Sequence, residues 1–254
     1  EGTVVVKDIK PGSAGSSPTY FAYLNGKTYF VADDGTHGGE LWVTDGTEEG
    51  TVMIKDIFVG DEYDDGYPQR ITAEGDKLFF TADDGTHGRE LWVSDGSEEG
   101  TFMVKDINPG EEFGQINTGA NHCPYSHLVN NEYHLRSTCF IGSEGSVFFS
   151  ADSDGSGGDT PTLWKSDGTE NGTVEFEDVL SPEYFNVLGN KVIFFARNGS
   201  YDALWETDGT EEGTVVIRDN VEGTWGHVVN DKLFFHGQAS PDSENTRVEL
   251  WVSD

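Results

Sequence analysis

The phrase Glu-Leu-Trp-Val-Thr-Asp-Gly-Thr-Glu-Glu-Gly-Thr runs from Glu40 to Thr51 and returns, with two serines in place of threonines, from Glu90 to Thr101. Weaker copies follow at Leu163 to Thr173 and Leu204 to Thr214, and a truncated one at Glu249 to Asp254. The tryptophans that mark the copies, Trp42, Trp92, Trp164, Trp205 and Trp251, stand 50, 72, 41 and 46 residues apart. Repeats at such spacings build propeller blades or solenoid coils. A chain that uses one unit five times must pack that unit against itself, and this limits the available folds more than any other feature.

Around each copy the same four short segments recur, β-rich and closed by Gly, Asn or Asp turns. In the second repeat they are Gln69–Ala73, Lys77–Ala82, Glu90–Ser94 and Thr101–Ile107. No stretch carries ten residues of helical periodicity, so the sequence predicts an all-β chain. Glu1 to Ile9 reads as a fourth strand lacking its first three. The last repeat supplies the first three (Trp225–Val229, Lys232–His236, Glu249–Ser253) and lacks the fourth. The expectation is a closed five-bladed β-propeller of four-stranded antiparallel blades, with strand 3–9 pairing in the last blade; a solenoid would leave two open ends. The blades fall at about 17–57, 67–107, 137–179, 182–219 and 224–254 of a single domain, with 108–136 inserted before blade three.

The segment Ala32 to Thr51, Ala-Asp-Asp-Gly-Thr-His-Gly-Gly-Glu-Leu-Trp-Val-Thr-Asp-Gly-Thr-Glu-Glu-Gly-Thr, resembles the ELWxxDGT repeat family of bacterial surface and secreted proteins. The resemblance covers nearly the whole chain outside 108–136. It implies tandem propeller modules in extracellular proteins and brings no catalytic residues with it. The motif also looks like the Asp-box turn of sialidase-type propellers, a structural element remote from their chemistry.

With 47 acidic against 15 basic residues and a formal net charge of −32, the surface repels nucleic acid and anionic lipid. No apolar run approaches the roughly 20 residues of a membrane-spanning helix. So much like charge favours a salty or calcium-containing medium that screens or neutralises it. An extracellular or cell-surface location follows from the resemblance and agrees with two sequons on predicted turns, Asn171-Gly172-Thr173 and Asn198-Gly199-Ser200.

The two cysteines, Cys123 and Cys139, bracket the one irregular stretch. A disulfide between them would be worth roughly 3 kcal/mol in the chain-entropy account. A competing reading gathers His122, Cys123, His127, His134 and Cys139 into a zinc or copper site, although the spacing matches no finger pattern. For calcium the best candidates are Asp152, Asp154 and Asp159, which alternate around a glycine turn as hard-cation sites require. The milder turns Asp33-Asp34-Gly35 and Asp83-Asp84-Gly85 read as ordinary hairpin connections.

Residues present in every repeat serve architecture, so function is sought where the repeats differ. Aligned on Lys27, Lys77, Ser146, Lys191 and Lys232, the first strands put Tyr20, Arg70, Cys139, Tyr184 and Trp225 in one row. Tyr20, Arg70, Tyr184 and Trp225 are the candidate ligand-binding residues, suited to a sugar or a peptide; the alternative is that they fill space between blades. Glycoside hydrolysis would need carboxylates about 5–9.5 Å apart. Glu183 and the loop acids Asp61, Glu62, Asp64 and Asp65 are the available groups. The sequence thus supports a non-catalytic extracellular module for structural assembly or adhesion, partnered by other extracellular subunits or glycans and stabilised by calcium. A lectin-like propeller is the second reading, and a hydrolase the third.

Overall fold

The computed structural model describes residues 2–60, 66–107, 128–129, 132–133, 140–151, 160–239 and 248–254. The chain divides into two compact units, Glu1–Ile116 with Gly168–Glu170, and Asn117–Asp167 with Asn171–Asp254. Among the described residues every regular element is a strand. Among them no helix is long and apolar enough to cross a membrane.

In the first unit, β1 (Thr19–Leu24), β2 (Lys27–Asp33), β3 (Gly39–Thr44) and β4 (Val52–Lys55) form one antiparallel meander. A second consists of β5 (Gln69–Glu74), β6 (Lys77–Asp83), β7 (Arg89–Ser94) and β8 (Phe102–Lys105). These are the strands expected from the second repeat to within a few residues. Two-residue turns such as Asn25-Gly26, both with positive φ (50° and 82°), fix the hairpin register at Leu24↔Lys27. Asn and Gly adopt that conformation at little cost, and its twist matches the flanking strands.

In the second unit a short hairpin, β9 (Leu128–Val129) with β10 (Glu132–Tyr133), precedes a seven-stranded sheet. That sheet is built from β11 (Ile141–Ser143), β12 (Ser146–Ala151), β13 (Thr162–Ser166), β14 (Val174–Leu188), β15 (Lys191–Asn198), β16 (Tyr201–Thr207) and β17 (Val215–Arg218). β14 is 15 residues long and serves both as the fourth strand of the third repeat and as the first strand of the next. The expected break between 179 and 182 is bridged by continuous backbone, bent by register shifts between Leu180 and Glu183 and between Glu183 and Asn186. A three-stranded sheet of β18 (Val221–Val228), β19 (Leu233–Ala239) and β20 (Glu249–Ser253) ends the chain.

The core repeats with the sequence. Phe30↔Trp42, Phe80↔Trp92, Phe149↔Trp164, Phe194↔Trp205 and Phe235↔Trp251 are cross-strand partners between the second and third strands of each repeat. The last four pairs stack with ring centroids 6.1 to 6.5 Å apart. Each such pair is worth about 0.5–1.5 kcal/mol beyond the area it buries.

The N-terminal segment does not show the expected closure. Residues 2–8 form no strand, and the β18–β20 sheet has three strands, so the predicted pairing of strand 3–9 in the last blade is not observed. Side chains hold the segment on the first repeat instead. Lys7 Nζ donates to the carbonyl oxygens of Thr51 (2.8 Å) and Glu48 (3.4 Å), and Lys10 pairs with Asp33. Val4 and Val5 are left 82% and 83% exposed.

Candidate functional site

The turn carboxylates Asp45, Asp95 and Asp208 of the repeated phrase are spent on their own turns. Asp45 Oδ1 accepts from Thr47 N (2.9 Å) and Thr47 Oγ1 (2.7 Å), Gly50 N donates to Thr47 Oγ1 (2.9 Å), and Thr44 and Thr51 share a hydroxyl–hydroxyl bond (2.7 Å). The pattern returns at Asp95 with Ser97 and at Asp208 with Thr210. These hydrogen bonds, the hydroxyl's first, hold Asp45, Asp95 and Asp208 below the usual carboxylate range. The fit explains the glycine that follows: a Cβ at Gly50, Gly100 or Gly213 would stand 2.0 to 2.1 Å from the aspartate oxygen.

The Asp-Asp-Gly turns behave alike. Asp34 Oδ1 accepts from Thr36 N (2.8 Å) and His37 N (3.0 Å), and its other oxygen meets His37 Nδ1 at 2.8 Å. Asp84 and His87 repeat the arrangement. The bond to Asp34 raises the His37 pKa. Partial burial works against ionisation of Asp34, but the bonds from His37 and Thr36 outweigh it and lower its pKa. These are Asx-type turns with satisfied acceptors. Among the described residues no group of three or more His, Cys, Asp or Glu could hold a metal ion.

Glu40 is fully buried and folds back onto the chain that follows β4, accepting from Ile57 N (3.1 Å), Phe58 N (3.5 Å) and Gly66 N (3.3 Å). Glu90 makes the equivalent bond to Ile107 N (3.0 Å). Burial dominates at Glu40 and pushes its pKa up to about 8, against the pull of the three amides.

The row Tyr20, Arg70, Tyr184 and Trp225 is a real structural position. Tyr20 (φ 52°), Arg70 (φ 61°) and Tyr184 (φ 55°) are all left-handed, each within the register shift that interrupts the first strand of its repeat. Trp225 lies at the corresponding shift, between Thr224 and Gly226. A second left-handed residue stands three positions earlier in three copies, Ser17, Tyr67 and Ser181, each followed by proline. Tyr20 meets Tyr67 edge to face (6.5 Å) and is close enough to Arg70 to act on its titration, while partial burial, the main influence, lowers the Arg70 pKa. Tyr184 packs edge-on against Phe195 (6.4 Å); burial, then Glu183 and Asp202, raise its phenol pKa. Tyr20 and Arg70 belong to the first unit, Tyr184 and Trp225 to the second.

The second unit holds a cavity of about 370 Å³, lined by Arg197, Ser200, Tyr201, Asp202, Asn220 and Glu222. Arg197 and Asp202 are cross-strand partners on β15 and β16, and Glu222 is held by Gln238 Nε2 at 2.5 Å. The Asp202 side chain still reaches water, but partial desolvation and then Glu222 raise its pKa, opposed by Arg197. Sequence reasoning missed this site. The available signal was the loss in the fourth repeat of both Asp-Asp-Gly-Thr-His-Gly and the following glutamate, replaced by Arg197-Asn198-Gly199-Ser200-Tyr201 and Ala203.

Asp152, Asp154 and Asp159, Cys123 and Cys139, and the loop acids at 61–65 lie outside the described residues. Asn171 and Asn198 are exposed, and Asn198 Nδ2 donates to Asp219 Oδ1 at 3.1 Å.

No protein-family model matches the chain, and no curated protein matches it. Among solved structures it is similar to puromycin hydrolase at 12% identity and a TM-score of 0.45, covering 97% of this chain and 40% of that one. It is also similar to a putative TolB from Agrobacterium tumefaciens (10%, TM-score 0.41, 95% and 78%). A third is the β-propeller domain of the Trilobed protease from Pyrococcus furiosus (12%, TM-score 0.34, 93% and 81%). Identities this low say nothing of what the chain binds or catalyses.

Proposed function

We propose that the chain is a non-catalytic β-propeller module of an extracellular or cell-surface protein, working in structural assembly or adhesion. The observation that carries this reading is the spending of every recurring carboxylate described above on its own turn or loop. The repeated phrase is thereby a folding device, and contact is left to the acidic surface and to positions that change from repeat to repeat. Five repeats arranged as five blades are supported by the sheets themselves, since the seven-stranded sheet is two four-stranded sets sharing β14. Lys7 supports a fourth-strand role for the N-terminal segment, because Lys7-Asp8-Ile9 repeats Lys55-Asp56-Ile57 and both lysines reach the same threonine carbonyl of the next repeat.

Calcium acts in this reading as a bridge between acidic surfaces, with Asp152, Asp154 and Asp159 as its first candidate ligands. Calorimetric calcium titration with sizing in calcium and in chelator is the test. Heat of binding accompanied by a larger particle is the expected result. A monomer of the same size and melting temperature in both would sink the assembly reading.

A further inference from the structure

The fourth repeat departs from the first two at one end of its sheet. In the first repeat, β2 and β3 are joined by the satisfied Asp33 to Gly38 turn, and Glu40, opposite Ala32, fills the space beneath it and caps the amides of Ile57, Phe58 and Gly66. In the fourth, Ala203 stands opposite Ala196 in the place of Glu40, and β15 and β16 close through Gly199-Ser200 alone. By the register Leu41↔Lys55 and Leu204↔Arg218, Asn220 occupies the place of Ile57. Both the buried carboxyl and the long turn are therefore missing where the cavity opens, and Asn220 forms part of its wall.

What lines the cavity is polar and mixed. Asp202 and Glu222 offer acceptors, Arg197 and the Asn220 amide offer donors, the Ser200 hydroxyl serves as either, and Tyr201 adds a ring that is 37% exposed. The volume of about 370 Å³ falls in the range of small-molecule sites, about 300–1,000 Å³. Two carboxylates against one guanidinium, in a chain of net charge −32, disfavour an anion. Donors and acceptors together beside an aromatic ring suit a ring that carries many hydroxyl groups.

We infer that this cavity is a binding site for a neutral saccharide, with Asp202 and Glu222 accepting its hydroxyl groups, Arg197 and Asn220 donating, and Tyr201 flanking the ring. The inference does not depend on the assembly reading, since a monomer can bind a sugar. The test is a printed array of neutral, amino and sialylated oligosaccharides, probed with the full chain made in a bacterial host that leaves Asn198 bare. Binding to neutral members, cut at least tenfold by Asp202→Asn and by Tyr201→Ala, is the expected result. Both positions lie at the surface, and unchanged melting of each variant confirms folding. Capture of no neutral glycan, capture confined to sialylated members, or binding that survives both substitutions would overturn the inference.

Discussion

The ammonium group of Lys55 donates to the carbonyl oxygen of Thr101 at 2.7 Å, tying the end of β4 to the residue that precedes β8 in the next repeat. Lys55→Met keeps the aliphatic stem and leaves a part-buried carbonyl without its charged donor. The variant should lose about 1–2 kcal/mol in a urea melt. An unmoved midpoint would mean that water replaces the ammonium at no cost.

The contact between Gly50 and Asp45 makes a double-mutant test. Gly50→Ala puts a methyl group where the Asp45 carboxylate lies and should cost about 2–3 kcal/mol. Asp45→Ala loses the turn's acceptor and should also destabilise the protein. The double variant removes the clash along with the acceptor, so its loss should fall short of the sum by at least about 1 kcal/mol. Additive losses in chemical denaturation would deny the contact.

Ser181 is left-handed (φ 52°), and its buried Oγ has no partner. Glycine removes both penalties, and the backbone bond from residue 181 to Pro161 O (2.6 Å) is unaffected. Ser181→Gly should therefore stabilise the protein by about 1 kcal/mol, despite the freedom it adds to the unfolded chain. A lower melting temperature would contradict the account.

Glu40 sets a pH dependence. Its folded pKa, about 8, lies above the ordinary 4.5, so the folded state keeps a proton that the unfolded chain has released. The stability tied to that proton is fully present below about pH 4.5 and is lost as pH rises through 8. His37, also raised, adds a loss of the same sign as pH climbs through its folded pKa. Glu40→Gln should be less stable at pH 5, because an amide accepts on one oxygen only, yet flatter between pH 5 and 8.5. Parallel melting curves for the two proteins across that range would refute the assignment.

The strands were legible because turn residues with positive φ, such as Asn25-Gly26 and Gly75, separate short β-rich runs. The row of Tyr20, Arg70 and Tyr184 was legible because the hairpin after each first strand fixes its register. Its left-handed backbone could have been suspected from Pro18, Pro68 and Pro182, two residues earlier in each copy. The Glu40 cap was not legible, since it depends on amides 17 to 26 residues away. Nor was the cavity, because it comes from what Ala203 lacks. The closure is not shown for a related reason: strand character in residues 3–9 says that the segment can pair, whereas here residues 2–8 form no strand and are held by the Lys7 and Lys10 side chains.

The continuity of β14 has a mechanical meaning. Between the third and fourth repeats there is no joint, only 15 residues of backbone laddered to β13 at one end and β15 at the other. Tension along the chain must shear hydrogen bonds there instead of swinging a hinge. A cut between the third and fourth repeats would strip β14 from one of its two neighbours, so a fragment that keeps either repeat whole must carry the shared strand.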